Sequence, residues 1–147
     1  ALKHFKGVKR RMEISGEVND ITLYDDFAHH PTAIIDTLKG LRDAIGDSPR
    51  IWAVLEPRSN TMRMGLHRQQ LAASLQQADK ILMFQPAEVD WDMQSVVNEM
   101  GESAELHRSV SDIVNLLAEQ ARPGDHILVM SNGAFGGIHQ KILDALV

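Results

Sequence analysis

Two hydrophobic rhythms alternate along this chain, one with the period of a strand and one with the period of a helix. Met12 to Val18 alternates weakly, Asn19-Asp20 is a turn signal, and Ile21 to Tyr24 reads as the returning strand of a hairpin. Ile34, Ile35, Leu38, Leu41 and Ile45 recur at helical spacing, which predicts a helix over Ala33 to Ile45 that Gly46-Asp47-Ser48-Pro49 ends. Arg50 to Leu55 is a continuous apolar run, the pattern of a strand buried on both faces. A helix over Met62 to Ala78 follows, with Leu66, Leu71 and Leu75 inward, then a strand over Lys80 to Phe84. Trp91 to Met100 reads as a shorter helix, Ala104 to His107 as a short strand, and Val110 to Gln120 as a helix capped by Ser109 or Ser111. Pro123-Gly124-Asp125 turns the chain into the strand His126 to Met130, and Ile138 to Val147 closes it as a helix.

Strands alternating with helices of this length predict an α/β fold: a doubly wound, mostly parallel sheet with an antiparallel N-terminal edge strand. Right-handed crossovers bring the carboxyl ends of the parallel strands to one edge. Three polar connections then share that edge: Asp25–Pro31, Glu56–Thr61 and Ser131–Gly137. The first is the densest, with Asp25, Asp26, His29 and His30 within six residues. Pro31 fits the first turn of the helix and pushes His30 towards an extended backbone. One reading of this stretch is a polar turn in which Asp25 or Asp26 bonds nearby backbone N–H groups. The other is a reactive cluster, in which Asp26 positions a phosphate or a water-bound Mg²⁺ and His29 donates to a phosphate oxygen. Adjacent histidines seldom point the same way, so no zinc site is expected here, and no residue is assigned as a direct metal ligand. Arg58, after Pro57, has the planar fork that suits a carboxylate or phosphate, or else pairs with Glu56. The glycines of the third connection open a helix whose N–H groups can hold an anion, although the pattern is no phosphate loop. Phe135 is a recognition wedge or a core anchor, and His139 lies one helical turn further on.

Composition narrows the class. The 147 residues suit one domain with a real core, and 44% hydrophobic with 24% charged residues is ordinary for a globular chain. No apolar run is long enough to cross a bilayer, and no secretory leader opens the sequence, which fits a cytoplasmic setting with no membrane partner. There is no cysteine, so thiol nucleophiles and thiolate metal sites are excluded. A net charge of −5 argues against nucleic acid as a partner. Lys3, Lys6, Lys9, Arg10 and Arg11 make a basic start, read as a solvated edge or a linker stub, and the missing initial Met suggests a piece of a longer protein.

Asp25-Asp26-Phe27-Ala28-His29-His30-Pro31-Thr32 resembles the C-terminal domain of the Mur ligases, the ATP-dependent amide-forming enzymes of peptidoglycan assembly. Leu55 to Met62 and Ser131 to Lys141 resemble the branch that attaches the murein tripeptide L-Ala-γ-D-Glu-meso-diaminopimelate to UDP-N-acetylmuramate in cell-wall recycling. The resemblance spans essentially the whole chain. It implies a Rossmann-like domain that closes over ATP, while a UDP-sugar domain and a central ATPase domain, the main holders of ATP and Mg²⁺, are absent here. It also implies that this part alone is inactive. By motif match, Asp26 and His29 are the expected catalytic residues, and Asp26, Phe27, Ala28 and His29 border the nucleotide. Arg58, Ser59, Asn60, Ser131, Asn132, Phe135, Gly136 and His139 are expected to hold the incoming peptide. Phe27 stands where the L-alanine-adding branch usually has Tyr, so no phenol hydrogen bond carries over. The alternatives are that L-alanine-adding branch, UDP-N-acetylmuramate–L-alanine ligase, or a stand-alone module binding a small ligand; a small hydrolase would lack a nucleophile elbow.

Overall fold

The computed structural model describes residues 12–28, 30–56, 68–86, 92–131 and 135–147. One sheet of six strands organises them, in the order β1-β2-β6-β3-β4-β5. The strands are β1 (Glu13–Val18), β2 (Ile21–Asp26), β3 (Ile51–Glu56), β4 (Lys80–Phe84), β5 (Ala104–His107) and β6 (His126–Ser131). Among the described strands only the β1–β2 pair is antiparallel, and β1 forms the edge, as the hairpin pattern predicts. The helices are α1 (Pro31–Ile45), α2 (Arg68–Ser74), α3 (Met93–Met100), α4 (Val110–Gln120) and α5 (Ile138–Leu146).

The sheet separates two cores. On one side Leu38 and Leu41 of α1, Leu71 of α2 and Val96 of α3 pack on Ala53, Leu55, Met83 and Leu128. On the other, Ile113 and Leu117 of α4 and Ile138 and Ile142 of α5 pack on Leu23, Trp52, Val54 and Val129. Every residue of β3 is buried, which is why its sequence is a run and not an alternation. Complete burial of such an aliphatic side chain stabilises the fold by about 1.5–3 kcal/mol.

Local boundaries differ from the sequence pattern in two helices. The segment predicted to be helical to Ala78 leaves the α-helix after Ser74. Its last turn tightens, with the N–H groups of Leu75, Gln76 and Ala78 bonding carbonyls three residues back, and the Asp79 N–H then bonds the Ile51 carbonyl. That tie pulls the chain into β4, so the sheet and not the local periodicity sets the end of α2. The helix α3 starts at Met93, where the Asp92 side chain accepts from the Ser95 N–H. Pro31 is the first residue of α1, and His30 before it is extended at φ −109°, ψ 145°. Ser109 caps α4.

The amino-terminal edge of the sheet is held by a polar hub. The Asp125 carboxylate accepts from Arg50 Nε and Nη2, from the Trp52 indole N–H at 2.9 Å and from the Arg122 N–H at 2.9 Å. Burial alone would raise the Asp125 pKa; the donors from Arg50, Arg122 and Trp52 outweigh it and hold the carboxyl below its usual range. Across the sheet, Tyr24 Oη and His126 Nδ1 meet at 2.8 Å with their rings stacked. Burial lowers the His126 pKa, keeping the imidazole neutral in that pair.

Candidate functional site

Parallel pairing places the ends of β2, β6, β3, β4 and β5 along one edge. Alternation of side chains then sorts the residues at those ends onto the two faces of the sheet. Asp26 faces α1, together with Met130, whereas Asp25, Glu56 and Ser131 face α4 and α5.

Asp26 is 1% exposed, and its carboxylate is engaged within the turn it begins. One oxygen accepts from the Ala28 N–H at 2.7 Å and from the Thr37 hydroxyl at 3.4 Å, and the other from the Met12 N–H at 2.8 Å. The first contact is an Asx turn, in which the side chain accepts from the backbone two residues on. The carboxylate therefore fastens three pieces of chain: the approach to β1, the turn after β2 and the middle of α1. Ala28 is buried beneath the turn, while Phe27 stands out from it at 46% exposure. His29 lies outside the described residues, as do Arg58, Ser59, Asn60 and Asn132.

On the opposite face, two side-chain pairs join the three strand ends. Ser131 Oγ donates to Glu56 Oε1 at 2.7 Å, and both residues are buried. They sit opposite each other in the β3–β6 register. His139, in the first turn of α5, meets Asp25 with 2.9 Å between Nε2 and Oδ1. A carboxylate only accepts, so Nε2 carries the hydrogen of this bond. Both partners are partly exposed, with 21% of the His139 side chain and 16% of the Asp25 side chain open to solvent.

Phe135 resolves into the core anchor of its two readings. It is 1% exposed and its ring lies 5.3 Å from that of Phe84. It also adopts φ 50°, and Gly136 and Gly137 follow at φ 59° and 70°. Three successive left-handed residues bend the chain sharply from β6 into α5, and two of them are glycines, for which this conformation carries little strain. A Cβ on Gly136 would stand 3.4 Å from Val110 Cγ2, so this bend also lies close over the start of α4.

Among the expected residues that are described, Ser131, Gly136 and His139 thus gather on the α4/α5 side of the edge, and Asp26, Phe27 and Ala28 on or above the α1 side. Asp25 belongs to the acidic pair of the first connection and Glu56 opens the second, but neither carries a local sign of the partner it meets on this face. The available signal was parity: Glu56 continues the alternation Trp52, Val54, which points it to a buried face.

The fold is a mixed α/β domain with the ends of its parallel strands along one edge, and the sequence assigns its family: the chain belongs to the Mur ligase family, matching the family description "Mur ligase, glutamate ligase domain" over residues 10–133. Particular relatives are close. The UDP-N-acetylmuramate–L-alanyl-γ-D-glutamyl-meso-2,6-diaminoheptandioate ligase of Haemophilus influenzae is 53% identical over 146 residues, which cover 99% of this chain and 32% of that protein. The ligase of the same name in Escherichia coli K12 is 51% identical over the same shares. The chain therefore spans about a third of the length of these relatives. Among solved structures, a murein peptide ligase from Psychrobacter arcticus superposes with a TM-score of 0.86 at 46% identity, over 99% of this chain and 31% of that one. A domain from a Haemophilus ducreyi protein described as a ligase of the same kind superposes at 0.80 with 48% identity, over 93% of this chain and all of that one.

Proposed function

We propose that this chain is the C-terminal domain of an ATP-dependent ligase that joins UDP-N-acetylmuramate to L-Ala-γ-D-Glu-meso-diaminopimelate in peptidoglycan recycling. The observation that carries the reading is the 53% identity with the Haemophilus influenzae ligase across nearly the whole chain. The UDP-sugar and central ATPase domains would lie elsewhere in the full-length protein, which would work in the cytoplasm, where nucleotides and UDP-sugars are made. Among the described residues no helix is long and apolar enough to cross a membrane.

The chemistry is formation of an acyl phosphate from the muramoyl carboxylate and ATP, followed by attack of the peptide amine. The C–N bond forms, the bond from the carbonyl carbon to the phosphate oxygen breaks, and ADP and phosphate leave. Negative charge on the transferring phosphoryl group calls for cationic or N–H donors fixed in advance. His29 is the donor this domain would bring to the nucleotide. Asp26 would hold the turn that carries it, and Phe27 would offer an exposed apolar wall. Arg58, with Ser59 and Asn60, and the β6–α5 connection, with Ser131, Asn132, Gly136 and His139, would hold the incoming peptide. Phe135 would serve by bending that connection. Among the described residues no group of three His, Asp or Glu side chains is placed to hold a metal ion. Mg²⁺ would be held by the central domain.

The second reading, addition of free L-alanine, is favoured by relatives such as the UDP-N-acetylmuramate–L-alanine ligase of Streptomyces avermitilis, 32% identical over 99% of this chain. Full-length enzyme assayed with UDP-N-acetylmuramate and ATP, with tripeptide and L-alanine in competition, separates the two. Ligation of the tripeptide is expected, with a raised tripeptide KM in Arg58→Ala and a lost rate in His29→Ala. Preference for L-alanine would move the chain to the second branch. Ligation of neither would leave a small-ligand binding module.

A further inference from the structure

The β6–α5 connection is tied at both of its ends to a different strand. At its start Ser131 donates to Glu56, the last residue of β3; just beyond its end His139 donates to Asp25, in β2. These contacts span 75 and 114 residues of sequence, so each depends on the assembled sheet. We infer that Asp25 and Glu56 are positioning residues of the acceptor site, which hold the two ends of the β6–α5 connection through His139 and Ser131. The inference rests on the reading that this connection holds the incoming peptide.

The two ties differ in kind. Glu56 and Ser131 are both sealed from water, so the hydroxyl has no solvent to turn to if the carboxylate is removed. Their bond fixes the last residue of β6 against the last residue of β3. The bend itself uses left-handed backbone, which costs little at Gly136 and Gly137 but strains Phe135, whose conformation needs firm neighbours to persist. His139 and Asp25 form the wetter tie, which sets the rotation of the first turn of α5 against β2. With Nε2 committed to Asp25, the orientation of the ring and the direction of its Nδ1 are set. The same two carboxylates thereby place all three strand ends in one frame: β2 through Asp25, β3 through Glu56, and β6 with α5 through their partners. A connection that must meet a peptide amine within a few tenths of an ångström gains from such bracing.

The test uses the full-length ligase that carries this chain, with steady-state kinetics for ATP and for the tripeptide separately. Asp25→Ala and Glu56→Ala are expected to raise the tripeptide KM roughly tenfold or more, the scale of one lost charge-assisted hydrogen bond, with the ATP KM changed less than about twofold. Asp25→Asn and Glu56→Gln keep an acceptor oxygen for His139 and Ser131 and should restore most of the loss. If Glu56→Ala proves insoluble, Ser131→Ala removes the same tie with a smaller change. A soluble Ser131→Ala/Glu56→Gln double variant then separates tie from direct contact: if Ser131 acts only through Glu56, the glutamine adds nothing to the serine loss. An unchanged tripeptide KM in the alanine variants would overturn the inference. So would equal rises in both KM values accompanied by a lowered melting temperature, because that pattern belongs to a general structural role. Wild-type enzyme that ligates no tripeptide would refute the functional reading itself, and the positioning role with it, before any variant is made.

Discussion

Removing the Asp26 carboxylate distinguishes a residue that organises its turn from one that acts on a ligand. In Asp26→Ala the Ala28 N–H loses a buried 2.7 Å bond to a charged acceptor, and the Met12 N–H loses a 2.8 Å bond in a partly buried place. A bond to a charged group contributes about 1.5–3 kcal/mol, and the partly buried one about 0.5–1.5 kcal/mol because water replaces some of it. The 3.4 Å Thr37 contact is too long to add much. The sum is a loss of about 2–4 kcal/mol in the unliganded domain. Asp26→Asn keeps an oxygen for Ala28 but turns an amide NH₂ towards Met12 N–H, and should lose about half as much. Urea unfolding of the 147-residue chain, with no nucleotide present, reads this directly. With a denaturant slope of about 2 kcal/mol/M, the alanine midpoint falls by about 1–2 M at constant slope. A midpoint unchanged within about 0.25 M, alongside a lost rate in the full-length enzyme, would refute the reasoning. It would mean that the carboxylate acts on the nucleotide and that the turn holds without it.

Two further outcomes follow from the packing and the charges. Phe135→Ala should cost about 3–5 kcal/mol, because it opens a cavity beside Phe84; unchanged stability by the same unfolding assay would return Phe135 to the role of recognition wedge. Asp125→Ala should cost about 3–5 kcal/mol, since it strands the Trp52 indole N–H and the half-buried Arg50. The pH dependence of wild-type stability has a fixed sign. The folded-state pKa values of His126 and Asp125 are both lowered, so the unfolded chain binds protons first on acidification. Their contributions are fully present above the ordinary values near 6.5 and 3.8, and are lost as the pH falls through the lower folded-state values. Thermal melts should therefore weaken first below about pH 6.5 and again below about pH 4. In Asp125→Asn the second step shrinks, and a step of undiminished size would refute the assignment.

The sequence by itself determined the elements and the edge that matters. The continuous run Ile51–Leu55 reads as a strand buried on both faces, and the helical spacing of Ile34, Leu38 and Leu41 gives α1 the apolar stripe that covers such a sheet. Pro31 fixed the junction after β2 because its ring sets φ for the helix and restricts His30 before it. The polar turns that follow β2, β3 and β6 were visible for the same reason: each interrupts a hydrophobic rhythm. Tertiary structure decided which of those polar residues meet. Inserting β6 between β2 and β3 brings Ser131 to Glu56 and His139 to Asp25. Neither pair has a local signature, because strand order is set by how helices cover the two faces over long separations. Adjacent residues were also divided by it. Asp25 and Asp26 read as one acidic pair in sequence, but the strand's period of two sends one to His139 and folds the other into its own turn. Phe135 was divided from Phe27 in the same way: the bend into α5 buries one ring against Phe84, and the turn after β2 leaves the other in solvent.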